Sequence, residues 1–87
     1  MPSYLVYSKL VKERGEAAKY SEGHRQYLAG LKGGGKIEFG YRFVDGSGGF
    51  YVIAAASLEE AEGVAQNDPY HTQGVREYTV REIERRL

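Results

Sequence analysis

Two short runs, Tyr4-Leu5-Val6-Tyr7 and Phe50 to Ala56, are apolar at every position. In extended chain this puts apolar side chains on both faces of a strand, which then needs cover on two sides. Both runs therefore belong at the centre of a sheet. Between them, Ile37, Phe39, Tyr41 and Phe43 alternate with Lys36, Glu38, Gly40 and Arg42. That period of two predicts a strand with one buried and one polar face, placed at a sheet edge. Asp45-Gly46-Ser47-Gly48-Gly49 consists of residues that suit tight turns, so the edge strand and the Phe50 run are expected to pair as an antiparallel hairpin. Val75 to Ile83 alternates again and supplies a fourth strand.

Helical spacing fills the gaps. From about Ser21 to Lys32, residues Tyr20, His24, Tyr27 with Leu28, and Leu31 fall on one face, and the helix is expected to stop at Gly33-Gly34-Gly35. A second helix opens at Ser57, where Glu60 three residues on completes a capping box. Leu58, Ala61 and Ala65 share a face of this helix, and the small alanines let its backbone lie close to what it covers. Pro69 is expected to end it, holding Asp68 just past the helix in a stiff Asp-Pro-Tyr turn. Val11 to Tyr20 is polar and mixed and reads as a loop. The resulting order is β-α-β-β-α-β in a single domain, residues 1-87, the split pattern of the ferredoxin-like α+β fold. Its four-stranded antiparallel sheet has the first and third strands central and both helices on one face. The other face still carries Tyr and Phe, and an apolar patch of that kind marks a binding surface. A second copy packed sheet to sheet about a twofold axis is the simplest cover, so a homodimer is expected.

A chain of 87 residues buries only a modest fraction of its surface alone, which strengthens the expectation of a dimer. Twelve basic and twelve acidic residues alternate in sign along the chain and leave no basic stripe, so no nucleic-acid partner is expected. The densest basic region, Arg76 to Arg86, is interrupted by Glu77, Glu82 and Glu84 and reads as a solvated face. The absence of cysteine excludes disulfides, thiol catalysis and thiolate-ligated metal. No apolar run approaches the length of a membrane span, and Met1-Pro2-Ser3 does not resemble a signal peptide. The expectation is a small cytoplasmic protein with no membrane partner. Gly33-Gly34-Gly35 follows a helix where a phosphate loop would precede one. His24 and His71 are not at the spacing of a helical metal pair, so neither metal nor cofactor is expected.

Chemistry rests on few side chains. His24 points with the apolar stripe of the first helix, and a carboxylate on one of its ring nitrogens would fix the tautomer and leave the other as an acceptor. Asp68 is the best partner, although an Asp before Pro also serves as a plain turn former. His71 follows directly after the turn and competes with His24 as the base, from a position expected to be more mobile and exposed. Tyr70 suits either a hydrogen bond to a substrate oxygen or a lid on the core. Tyr7, Ser8 and Tyr41 stand on strand ends that could line the same cavity.

The run from Ser57 through Glu59-Glu60-Ala61 to Asp68-Pro69-Tyr70 and Gly74-Val75, with His24-x-x-Tyr27-Leu28-x-x-Leu31 and Gly40 upstream, resembles the YciI-like (YCII-related) family. The resemblance covers most of the chain. It implies a dimerising ferredoxin-like fold with His24 and Asp68 as a proposed catalytic pair, and it favours His24 over His71. Where many members carry Gly-Pro, this chain has Gly40-Tyr41, so the pocket rim differs. Relatives in the wider superfamily imply lactone isomerisation, and YciI-like ones dehydrochlorination of hydroxylated aromatics. Two functions are carried forward. One is a cofactor-free lyase or isomerase acting on a small aromatic such as a chlorinated hydroxyquinol, with His24 as base, Asp68 as its orienting partner, and Tyr70, Ser8, Tyr7 and Tyr41 around the substrate. The other is a non-catalytic dimeric module that binds a small molecule or a protein segment.

Overall fold

β1 (Ser3–Leu10) and β3 (Gly48–Ala54) occupy the centre of one four-stranded antiparallel sheet in the computed structural model, which describes Met1–Leu87. β2 (Ile37–Arg42) and β4 (Arg76–Ile83) form the edges, in the order β2-β3-β1-β4. Tyr4 lies opposite Ile53 and Val6 opposite Tyr51. The pleat therefore brings these four side chains to one face, where they are buried. α2 (Ser21–Gly33) and α3 (Leu58–Gln66) cover that face. Leu28 and Val64 from the helices, and Tyr78 and Val80 from β4, pack around the same core.

Ala61 and Ala65 of α3 have no accessible surface. The helix sits close to the sheet because nothing larger than a methyl group separates them. Ala61→Leu is therefore expected to lower stability by about 1–3 kcal/mol through overpacking, read from the denaturant midpoint. Leu58, expected on the same face, is 45% exposed at the helix start. The cap itself forms, with Ser57 Oγ accepting from the Glu60 amide at 3.1 Å. The Glu60 carboxylate turns back to the Ala56 amide at 3.2 Å, one residue before the cap.

Three local expectations are corrected. The segment expected as a loop contains α1 (Arg14–Ala18), which buries Ala17 against Tyr70 and Val75. A five-residue helix with one buried position is too short to display a period. Pro69 does not end α3, which stops at Gln66; it opens the short helix α4 (Pro69–Thr72), at a position where a missing N–H costs nothing. Finally, β2 does not keep one face throughout. A register shift between Ile37 and Phe39 pairs Ile37 with Ile53 but Phe39 with Val52. This bulge sends Ile37 to the helix side and leaves Phe39 and Tyr41 on the free face, 48% and 63% exposed.

That free face gathers Leu5, Tyr7, Phe39, Tyr41, Phe43 and Phe50, with the Tyr41 and Phe50 rings 5.4 Å apart and those of Tyr7 and Phe43 5.9 Å apart. The hairpin is held close to β1 at Gly48, where φ is 149° and a Cβ would collide with the Ser8 carbonyl. No helix is long and apolar enough to cross a membrane.

Candidate active site

The register that brings Val6 opposite Tyr51 also brings Ser8 opposite Gly49, where the sheet's helix face runs out beneath the first turns of α2. A cavity of about 510 Å³ opens there. Its walls are Ser8, Gly49 and Tyr51 from the sheet, His24 and Leu28 from α2, Tyr70 from α4, Arg76 at the start of β4, and Gly40 to Arg42 at the rim.

His24 Nδ1 lies 2.8 Å from both carboxylate oxygens of Asp68. Asp68 is fully buried. A carboxylate accepts only, so Nδ1 carries the proton and donates it, and neutral His24 presents Nε2 as an unprotonated nitrogen with no protein partner. The same carboxylate caps α4, with Oδ1 accepting from the Tyr70 amide at 3.0 Å. One buried group thus fixes both the imidazole and the helix that delivers Tyr70. The Tyr70 ring stacks on His24 with centroids 4.2 Å apart and planes 28° apart, and the Arg76 guanidinium lies 4.2 Å from the centre of the same ring. Imidazole, phenol and guanidinium form one connected stack along the cavity wall.

Two further phenols surround the buried carboxylate. Tyr27 donates to the Val64 carbonyl at 2.5 Å and ties α2 to α3, and burial, then the charge of Asp68, push its phenol up. Tyr51 is 3% exposed, and its hydroxyl has no hydrogen-bond partner. Burial above all, with Asp68 and Tyr27 adding to it, raises the Tyr51 phenol far beyond its ordinary value, so it keeps its proton and can donate it in a hydrogen bond to an incoming oxygen.

His71 is half-buried and not loosely placed. Its Nδ1 donates to the Ala65 carbonyl, which leaves Nε2 to accept from the Ser8 hydroxyl at 2.9 Å. Burial holds the imidazole below its ordinary 6.5, outweighing the bond to Ala65, which raises it. The unfolded chain protonates His71 near 6.5 while the folded chain keeps it neutral to lower pH, so below 6.5 the unfolded state binds more protons. Stability is expected to fall as pH drops below 6.5, with no contribution from this group above it. Thermal unfolding measured between about pH 5 and pH 7 checks this, and His71→Gln should show a shallower loss on the acid side.

The family model of the YCII-related domain matches residues 3–84. The chain belongs to the YCII-related family. The uncharacterized protein YjpA of Bacillus subtilis (strain 168) is 38% identical over 60 residues, 69% of this chain and 71% of its own. The fold is shared with 5-chloro-2-hydroxyhydroquinone dehydrochlorinase (TftG) from Burkholderia phenoliruptrix AC1100, solved in complex with 2,5-dihydroxybenzoquinone. The two superpose with a TM-score of 0.72 at 22% identity, over 94% of this chain and 93% of that one.

In this YCII-related domain, His24, Asp68, Tyr70 and Ser8 come together, three of them lining the cavity and Asp68 directly behind His24. Tyr41 reaches it at the rim, with its ring among those of the free sheet face. Tyr7 does not reach it. It alternates with Val6 and Ser8, so its ring lies on the opposite face against Phe43. Residues the sequence did not nominate are Tyr51 and Arg76. Arg76 begins the basic stretch expected as a solvated face, yet its guanidinium folds inward over Tyr70. No sequence signal singled out Tyr51, because the strand that carries it is apolar on both faces.

Proposed function

We propose that this YCII-related domain is a cofactor-free lyase that removes HCl from a chlorinated hydroxyquinol-like ring, with His24 as general base and Asp68 as the group that orients it. The observation that carries this reading is the 2.8 Å pairing of His24 Nδ1 with a fully buried carboxylate, beside a cavity lined by the same histidine. Nε2 takes a proton from a ring hydroxyl, and the imidazolium so formed is stabilised by Asp68. It returns the proton to the ring carbon that bears chlorine. Loss of a second hydroxyl proton then expels chloride with the electrons of the carbon–chlorine bond, leaving a hydroxyquinone. The balance is loss of HCl and needs no outside oxidant. The name and ligand of TftG support a flat, oxygenated ring as substrate.

A second copy covering the free sheet face belongs to the same reading. Exposed Phe39 and Tyr41 beside Tyr7 and Phe50 support it, since such a face is costly to leave in water. The test is chloride release from 5-chlorohydroxyquinol by the purified protein, followed together with the absorbance of the quinone product. Saturable release above the buffer rate is expected. Binding of the quinone without chloride release would overturn the enzymatic reading in favour of a binding module.

A further inference from the structure

The cavity beside His24 is lined by three arginines, Arg25, Arg42 and Arg76, and by no carboxylate. Asp68 lies buried behind His24, and against that one carboxylate the arginines still leave a local excess of positive charge in a chain whose charges sum to zero. Arg25 is held by Glu22 at 2.6 Å, whereas no acidic side chain lies within ion-pair distance of Arg42 or Arg76. Two buried side-chain polar atoms have no hydrogen-bond partner, Tyr51 Oη and Arg76 Nε. Both belong to residues that line this cavity, and both are donors. Buried donors are satisfied in nearly all folded proteins, so two left open beside one cavity call for acceptor atoms on what the cavity holds.

We infer that the substrate presents an oxyanion, an ionised ring hydroxyl or a carboxylate, to Tyr51 Oη and Arg76 Nε, with Arg42 adding charge at the rim. This rests on the reading of the cavity as the active site and names the chemistry of what enters it. Arg76 is steadied for the role by the Tyr70 ring 4.2 Å beneath it, and that ring also touches His24. The recognition end and the base are thereby kept at a fixed separation. As His24 draws a proton from a ring hydroxyl, negative charge grows on oxygen, and the Tyr51 and Arg76 donors beside the cavity stabilise it.

The test measures binding, by calorimetry, of four probes: ionised 2,5-dihydroxybenzoquinone, its neutral 2,5-dimethoxy analogue, benzoate and benzamide. The anion of at least one pair is expected to bind more tightly than its neutral partner by about 10- to 100-fold. Preference within the quinone pair identifies a ring oxyanion, and preference within the benzoate pair identifies a carboxylate. Tyr51→Phe, which keeps the ring in the core, is expected to remove about tenfold of that preference, and Arg76→Met as much or more, with neutral-probe affinity unmoved. Arg76→Lys should restore part of it by charge alone. Should Arg76→Met fail to fold, Tyr51→Phe decides. Equal affinity for anionic and neutral probes, or an undiminished preference in Tyr51→Phe, overturns the inference. His24→Asn separates it from the catalytic reading, because that variant is expected to keep the anion preference while losing chloride release. A wild type that prefers anions yet releases no chloride would leave the inference standing and remove the reaction.

Discussion

His24→Asn is expected to lower kcat/KM for chloride release by about 10²- to 10⁴-fold, the usual contribution of a positioned general base. Asparagine approximates the ring's near side and still offers a donor to Asp68, so the fold should survive, which circular dichroism and the melting temperature would verify. What it lacks is a basic nitrogen facing the cavity. His71→Gln provides the contrast. His71 donates to the Ala65 carbonyl and accepts from Ser8, with no nitrogen left for a substrate. Its replacement is expected to cost less than tenfold, an effect transmitted through the position of Ser8. A larger loss in His71→Gln than in His24→Asn would reassign the base.

Asp68→Ala is expected to produce the largest loss of stability among the site variants, about 2–4 kcal/mol. That figure combines a lost helix cap, ~1 kcal/mol, with buried donors left unpaired on His24 and on the Tyr70 amide, ~1–3 kcal/mol. Denaturant unfolding checks it, and hydrogen exchange should show α4 loosening first. Asp68→Asn distinguishes the two duties of the carboxylate. The amide oxygen can still accept from the Tyr70 amide, so stability should fall by only about 1 kcal/mol. A neutral amide does not stabilise imidazolium, so turnover should fall nearly as far as in His24→Asn. The double variant His24→Asn with Asp68→Asn should then be little worse than either alone, because the two residues act as one unit.

Much of the architecture was legible in the sequence. Uninterrupted apolar runs at Tyr4–Tyr7 and Phe50–Ala56 identified the central strands, and the capping box at Ser57 with the alanines at 61 and 65 identified the close-packed helix. The same apolarity concealed which way each side chain points. A strand that is greasy on both sides gives no sign that Tyr51 faces the cavity while Tyr7 faces away, and the two exchange roles with a shift of one residue. The bulge between Ile37 and Phe39 was equally hidden, since the printed alternation of β2 looks unbroken and only the pairing with β3 reveals the slip. Arg76 was masked by the charges that follow it. Its inward turn depends on Tyr70 lying beneath, a contact between neighbouring elements that charge patterning does not encode. The pairing of His24 with Asp68 was anticipated from the family resemblance, while helical spacing set His24 on the apolar stripe and the Asp-Pro step set Asp68 just past a helix end.

The proposed chemistry depends on which nitrogen of His24 carries its single proton when the ring is neutral. Nitrogen-15 NMR of the imidazole side chains, with His24→Asn for assignment, measures this directly. The arrangement predicts a protonated Nδ1 bound to Asp68 and a bare Nε2 whose resonance moves when 2,5-dihydroxybenzoquinone is added. A proton resident on Nε2, or an Nε2 signal indifferent to the quinone, would contradict the account.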